Sequence, residues 1–143
     1  MMSSGRPAPR RWVLVVDDNA NLRDLWIEAL EQEGYAAVGS DDGLRAAELI
    51  GDLLPDLIIL DLRMPRMSGW DFLENVRANP KWHRIPVVIV SAHLDEGPNL
   101  VADSGLNVVG QMGKPVSIAD LLAKVHGVIG APLRHEAGSG PRR

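Results

Sequence analysis

Short apolar segments alternate along the chain with segments of helical pattern, and this alternation restricts the possible folds more than any other feature. Five segments are predicted to be strands, at residues 12–17, 35–40, 56–61, 85–92 and 106–112. Five are predicted to be helices, at residues 19–34, 41–53, 68–80, 96–105 and 117–130. Strands that alternate with helices favour a parallel sheet that is covered by helices on both faces.

Polar and glycine residues mark where the predicted helices begin and end. The expected N-caps are Asn19, Asp41 or Asp42, Ser68 and Ser117, and Gly34 is expected to end the first helix. Gly110 is expected to break the fifth strand. The first, third and fourth strands are apolar throughout, which is typical of strands at the centre of a parallel sheet.

Composition excludes several classes of function. The 143 residues suit one domain, and the net charge of -4 argues against a nucleic-acid groove or an anionic membrane as the primary target. The chain has no cysteine, which excludes disulfides, thiolate metal sites and a cysteine nucleophile. No apolar run approaches the ~20 residues of a membrane span, and the N-terminal basic residues precede no signal-peptide core. These features predict a cytoplasmic protein.

Chemically reactive side chains follow the apolar strands where each strand ends. Asp17 and Asp18 close the first strand, Asp61 the third and Ser91 the fourth, and the fifth strand runs into Lys114. The carboxyl ends of parallel strands share one edge of the sheet, where open α/β sheets bind their ligands. We therefore expect these five residues to form one site.

Carboxylates that crowd together repel one another unless a cation lies among them. A hard divalent ion such as Mg²⁺ accepts carboxylate oxygens, and an aspartate can be the covalent acceptor of a phosphoryl group. The pattern thus favours metal-assisted phosphoryl transfer. Simpler interpretations exist for each residue alone: Asp17 and Asp18 as helix caps, Ser91 as an ordinary strand-end residue, and Lys114 as part of a turn. These alternatives require four strand ends to carry matching chemistry by accident.

Four motifs, "VVDDN", "LDLRMPRMSG", "VIVSAH" and "MGKP", occur in an order and spacing that resemble the receiver domain of two-component response regulators. The resemblance covers about residues 11–131. It implies an α/β, flavodoxin-like (βα)5 three-layer sandwich, with a parallel five-stranded sheet of order 2-1-3-4-5. Residues 1–10 and 132–143 are expected to be flexible tails.

The resemblance also implies a metal site and a phosphoacceptor. Asp61 would accept the phosphoryl group. Asp18 would bind Mg²⁺, or Mn²⁺, directly, and Asp17 would bind it largely through water. The backbone carbonyl of Arg63 would complete the protein ligands.

Further positions are implied to control the phosphorylated state. Ser91 would be the switch hydroxyl, and Lys114, followed by a cis proline, would pair with the phosphoryl group. Gln111 occupies a position that usually carries Tyr or Phe, so the usual aromatic coupling is in doubt. Arg63 and His93 lie where they could alter the lifetime of the aspartyl phosphate.

The function implied is that of a phosphoacceptor without an output domain, which catalyses only its own phosphorylation and dephosphorylation. The phosphodonor would be a histidine kinase or a histidine phosphotransfer protein. The downstream partner would bind the face of the predicted fourth helix, fifth strand and fifth helix, with the chain as a monomer or a phosphorylation-linked dimer. The four histidines form no phosphodonor motif and are expected on the surface or in loops.

Two other functions remain open. A phosphatase or phosphotransferase of the haloacid-dehalogenase type places a second aspartate two residues after its nucleophile, where this chain has Arg63. An interaction module that works without phosphorylation is favoured only by Gln111.

The chain has four tryptophans. Trp12 and Trp26 are predicted to pack in or beside the core, while Trp70 and Trp82 flank the third helix. An exposed tryptophan would mark a partner surface, but burial is expected.

Overall fold

The computed structural model describes residues 10–64, 67–92 and 107–133. The strands are β1 (Trp12–Val16), β2 (Ala36–Ser40), β3 (Leu57–Leu60), β4 (Val87–Ser91) and β5 (Val108–Gly113). The helices are α1 (Ala20–Glu33), α2 (Gly43–Asp52), α3 (Gly69–Ala78) and α4 (Ile118–Ile129). The helix α4 corresponds to the predicted fifth helix, because the predicted fourth helix, 96–105, lies outside the described residues.

The five strands form one parallel sheet in the order β2-β1-β3-β4-β5, which confirms the predicted topology. In the register of β1 with β3, Val16 pairs with Leu60, so the two central strands end level with each other. Ser91 pairs with Gly113 at the matching end of β4 and β5. The residues that follow these strands therefore emerge along one edge of the sheet.

Alternate residues of the central strands build two separate cores, one on each face of the sheet. Leu14 and Val16 of β1 belong to the core that includes buried residues of α2 and α3. Val13 and Val15 belong to the core that includes buried residues of α1 and α4. Because both faces are covered, the strands must be apolar throughout, as predicted. The result is a three-layer α/β sandwich.

The predicted helix boundaries are confirmed by the capping contacts. The side chains of Asn19, Asp42, Ser68 and Ser117 each accept a hydrogen bond from the backbone N–H three residues later. Each such cap contributes about 1 kcal/mol. Gly34 ends α1 with φ of 107°, a left-handed conformation that favours glycine.

Two details of the sequence prediction are wrong. First, β5 continues through Gly110 instead of breaking there, with an irregularity in its pairing with β4 just before this residue. A side chain at Gly110 would collide with the stem of Lys124, so the glycine serves close packing. Second, Trp70 is 38% exposed although burial was expected, because it lies on the side of α3 away from Phe72 and Val76.

Contacts beyond the sheet join the residues just before β1 and β2 to the end of α4 and the residues that follow it. The Tyr35 hydroxyl donates to the carbonyl oxygen of Gly130 at 2.6 Å. The backbone N–H of Arg11 donates to the carbonyl of Pro132 at 2.7 Å, and Arg10 forms an isolated antiparallel bridge with Leu133. These contacts lie at the amino end of β1, opposite to the edge where the strands end.

Among the residues that the structure describes, none of the helices combines the length and the apolar composition that crossing a bilayer requires.

Tyr35 gives a test of this terminal contact. Burial, followed by the negative charge of Glu33, raises the pKa of the Tyr35 hydroxyl above its ordinary value. The unfolded chain therefore loses this proton first as the pH rises. We expect the free energy of unfolding to fall from about pH 10 upward, until the folded pKa is passed.

Urea unfolding between about pH 9 and pH 11 measures this loss, and Tyr35→Phe is the control. Tyr35 is the only tyrosine, so the near-ultraviolet absorbance of tyrosinate reports its ionisation directly. The variant should be about 1 kcal/mol less stable at neutral pH and should lack the tyrosine-dependent loss. Parallel stability profiles of the two proteins through pH 10 would contradict this assignment.

Candidate functional site

Four of the predicted site residues meet at the carboxyl edge of the sheet. One carboxylate oxygen from each of Asp17, Asp18 and Asp61 lies within 4.8 Å of the other two. The Lys114 ammonium lies 2.8 Å from Asp17 Oδ2 and 3.4 Å from Asp61 Oδ2. Ser91 is buried at the end of β4, and its backbone carbonyl accepts a hydrogen bond from the Lys114 N–H at 3.0 Å.

The sheet itself holds the two buried aspartates in place. The backbone N–H of Asp17 donates to the carbonyl of Ser40 at 3.0 Å, and that of Asp61 donates to the carbonyl of Val16 at 2.9 Å. The ladder of hydrogen bonds thus continues one residue past β1 and β3. This extension fixes the two carboxylates side by side.

Both carboxylate oxygens of Asp17 have a partner. Oδ1 accepts the backbone N–H of Asn19 at 2.9 Å, and Oδ2 accepts the Lys114 ammonium. The N-cap of α1 is Asn19, so the alternative in which the two aspartates merely cap this helix is wrong. Asp17 instead contacts the loop that precedes α1 and the ammonium of Lys114.

Arg23 also holds this loop, a role that the sequence did not indicate. Its guanidinium donates to the backbone carbonyl of Asp17 at 2.7 Å. The side chain crosses β2 at Gly39, where an added Cβ would lie 2.9 Å from Arg23 Cδ. A glycine opposite an arginine is recognisable only once the pairing of α1 with β2 is known, so no motif signals this contact.

Asp61 is held less tightly than Asp17. Its Oδ1 accepts the Arg63 backbone N–H at 3.3 Å, and its Oδ2 lies 3.4 Å from the Lys114 ammonium. Burial raises the pKa of Asp61, and the charge of Asp17 raises it further, while Lys114 and the Arg63 N–H lower it without cancelling the rise. The ionised form of Asp61 is therefore less favoured here than in water, and a nearby cation would favour it.

Lys114 remains the charged partner of this cluster. Burial lowers the pKa of its ammonium, but the hydrogen bond and negative charge of Asp17, together with Asp61, outweigh burial and raise it above its ordinary value. The peptide bond from Lys114 to Pro115 is cis, as expected. One ammonium therefore bridges two carboxylates that would otherwise repel each other.

The remaining predicted residues lie around this cluster. The side chain of Arg63 is exposed, and Gln111 is half-buried in β5, where it pairs with Ile89 in β4. His93 lies outside the described residues. His83 and His126 are exposed, as expected of histidines without a role in the site.

The donor set suits a hard divalent cation. It offers carboxylate oxygens from Asp17, Asp18 and Asp61, of which Asp18 is exposed to solvent and the other two are buried. Mg²⁺ and Mn²⁺ prefer such ligands and retain several waters, which the exposed side of the site allows. The residues present therefore fit the metal that the sequence analysis predicted.

This geometry agrees with a comparison of the sequence with known families. The family described as response regulator receiver domain matches residues 13–126, which include the three aspartates and the lysine of the site. The chain belongs to the response regulator receiver domain family. The observed strand order is that of the flavodoxin-like fold, which confirms the predicted fold class.

Individual relatives are consistent with this assignment. The chain is 36% identical over 140 residues to protein-glutamate methylesterase/protein-glutamine glutaminase 1 of Caulobacter vibrioides, covering 90% of this chain and 40% of the relative. It is 34% identical over 127 residues to the sensor histidine kinase TmoS of Ectopseudomonas mendocina, covering 87% of this chain and 13% of the relative. The chain thus spans less than half the length of these curated relatives.

A solved receiver domain extends the comparison to three dimensions. The signal receiver domain of a LuxO repressor protein from Vibrio parahaemolyticus superposes with a TM-score of 0.75 at 30% sequence identity. The superposition covers 85% of this chain and 91% of that one. The receiver fold therefore accounts for nearly all of the described residues.

Gly69 gives a test of how the site is built. An added Cβ at this first residue of α3 would lie 2.6 Å from Leu62 Cα and would also collide with the Asp61 carbonyl oxygen. We expect Gly69→Ala to push α3 away from the end of β3 and to destabilise the protein by about 1–3 kcal/mol. Urea unfolding measures the loss.

Gly51→Ala is the matched control in another helix. Nothing lies within 4 Å of an added Cβ at Gly51, so alanine should stabilise α2 by about 0.5–1 kcal/mol. Equal effects of the two substitutions would show that α3 is not in close contact with the Asp61 backbone.

Proposed function

We propose that this protein is a phosphoacceptor that receives a phosphoryl group on Asp61 from a phosphohistidine of a kinase or phosphotransfer protein. The observation that carries the proposal is the meeting of three carboxylates and one lysine ammonium at a single edge of the sheet. An ion pair needed only for stability would not require Asp18, which is exposed and adds negative charge beside the two buried aspartates.

In the proposed reaction an Asp61 carboxylate oxygen attacks the phosphorus atom. The new P–O bond forms as the P–N bond to the imidazole breaks, and the imidazole leaves with the bonding electrons. Asp61 suits this role better than Asp17, because both oxygens of Asp17 accept short hydrogen bonds while those of Asp61 accept only contacts of 3.3 and 3.4 Å. A loosely held carboxylate keeps a lone pair for the incoming group.

Lys114 and Ser91 would act on the product. The Lys114 ammonium already lies 3.4 Å from Asp61 Oδ2, so a small movement away from Asp17 would pair it with a phosphoryl oxygen. Ser91 ends the neighbouring strand β4, and its hydroxyl would donate to another phosphoryl oxygen. Each contact favours the phosphorylated state electrostatically.

Asp17, Asp18 and Asp61, together with the backbone carbonyl of Arg63, would hold Mg²⁺. The metal would neutralise charge on the phosphoryl oxygens during transfer. The raised pKa of Asp61 supports this requirement, since the carboxylate lacks enough positive charge around it without a cation. Asp61 would then be both a ligand of the metal and the acceptor of the phosphoryl group.

Signalling would proceed through protein contact at the face of β5, α4 and the predicted fourth helix. Gln111 lies in β5 within this face, and a hydrogen bond from its amide could report the position of Ser91 in place of an aromatic ring.

The similarity to a sensor histidine kinase supports a kinase as the partner that donates the phosphoryl group. No catalysis beyond the protein's own phosphorylation and dephosphorylation is proposed. Arg63, at the position of the second aspartate of a phosphatase of the haloacid-dehalogenase type, disfavours that alternative.

Incubation with acetyl phosphate and Mg²⁺, followed by intact mass, tests the proposal. The wild-type protein should gain the mass of one phosphoryl group, and Asp61→Asn should gain none. Lys114→Met should slow labelling about 100-fold, the effect of removing a charge-stabilising group from a transferring centre.

Asp24→Asn is the matched control, since Asp24 is an exposed aspartate of α1 outside the cluster. This variant should be labelled at the wild-type rate. Equal labelling of wild type and Asp61→Asn, or no labelling of the wild type, would contradict the proposed function.

A further inference from the structure

Trp26 of α1 is a buried aromatic residue beside the site, and the proposed chemistry does not use it. Its side chain is 1% exposed and belongs to the core between α1, α4 and the sheet. The Lys114 ammonium lies 5.9 Å from the centroid of its ring. Trp26 is thus the third group, after Asp17 and Asp61, that contacts this ammonium.

Burial of the Trp26 indole leaves its N–H group without a hydrogen-bond acceptor among the described residues. Trp12 of β1, in contrast, donates its Nε1–H to the carbonyl of Leu54 at 3.0 Å. A buried donor without an acceptor destabilises a protein. A phenylalanine at this position would bury no such donor, so hydrogen bonding does not explain the tryptophan.

The contact with Lys114 supplies a reason for the tryptophan. Among the aromatic residues, tryptophan attracts a cation most strongly through its ring face, over distances of up to about 6 Å. The attraction strengthens when water is excluded, and both partners here are largely buried. The ring therefore offers Lys114 a favourable contact that involves no carboxylate.

The two carboxylates hold Lys114 unequally. Its ammonium lies 2.8 Å from Asp17 and 3.4 Å from Asp61, so the contact with the proposed phosphoacceptor is the longer one. In the proposed function Asp17 would also bind Mg²⁺, which would weaken the shorter of these two contacts. A contact that involves no carboxylate would then help to keep the ammonium beside Asp61.

We propose that Trp26 is a positioning residue whose ring holds the Lys114 ammonium beside Asp61. The inference rests on the proposed function, in which Lys114 pairs with the phosphoryl group. Arg23 lies one turn earlier on α1 and holds the Asp17 backbone. One helix therefore positions both the anchoring aspartate and the lysine.

A double-mutant cycle tests the proposal by labelling with acetyl phosphate and Mg²⁺. Trp26→Phe keeps an aromatic ring with a weaker attraction, and Trp26→Leu removes the ring. The labelling rate should fall in the order Trp, Phe, Leu, by about fivefold in total. In the Lys114→Met background, which has no ammonium, the same Trp26 substitutions should change the residual rate less than about twofold.

A second readout needs neither metal nor phosphate. Urea unfolding in EDTA of wild type, Trp26→Leu, Lys114→Met and the double variant gives the coupling between the two side chains. The coupling should correspond to a factor of about three or more in the unfolding equilibrium constant. If Trp26→Leu does not fold, Trp26→Phe completes both cycles.

Trp12→Phe is the matched control, because Trp12 is another buried tryptophan and lies at the opposite end of β1. It should lose stability without any change in labelling rate. Two results would overturn the proposal. One is that the Trp26 substitutions change the labelling rate equally with and without the Lys114 ammonium, and the other is that they do not change this rate at all. A wild type that is not labelled would instead refute the proposed function, so the two failures are distinguishable.

Discussion

The bridge that Lys114 forms between Asp17 and Asp61 is the interaction on which the rest of the site depends. The sheet forces two buried carboxylates side by side, because the hydrogen-bond ladder extends one residue past both β1 and β3. Their mutual repulsion would destabilise this edge without a cation between them. The ammonium of Lys114, which directly follows β5, offsets that repulsion. Its contact with Asp61 is the longer of the two, so Asp61 is held weakly. The same ammonium thus stabilises this edge of the sheet and lies beside the proposed phosphoacceptor.

The surrounding helices serve this arrangement through close backbone contact. Gly69 lets α3 begin against the end of β3, and Gly39 lets Arg23 cross β2 to reach the Asp17 carbonyl. Trp26 of α1 lies against the ammonium of Lys114. In the proposed function, a change in the partners of Lys114 would alter its contacts with the central strands and with α1, and so couple the site to the surrounding elements.

Much of the fold could be predicted from the sequence because its signals are local. Apolar strands of the expected length, and N-caps such as Asn19 and Ser68, identify the elements without knowledge of their neighbours. The convergence of Asp17, Asp61 and Lys114 also follows, since parallel strands must end at one edge. The burial of Trp26 was predicted, but its contact with Lys114 and the contact of Arg23 with Asp17 could not be, because both depend on which residue lies opposite α1. The continuity of β5 through Gly110 was missed for the same reason: the space that requires a glycine is set by Lys124 of α4.

If the carboxylate cluster is a metal site for which Lys114 competes, calorimetric titration with Mg²⁺ should detect it. We expect one Mg²⁺ bound per chain, at least about tenfold weaker binding in Asp61→Asn and Asp18→Asn, and tighter binding in Lys114→Met, where the competing ammonium is gone. Mg²⁺ binding that is absent, or that is unchanged by Asp18→Asn and Asp61→Asn, would show that the cluster is not a metal site.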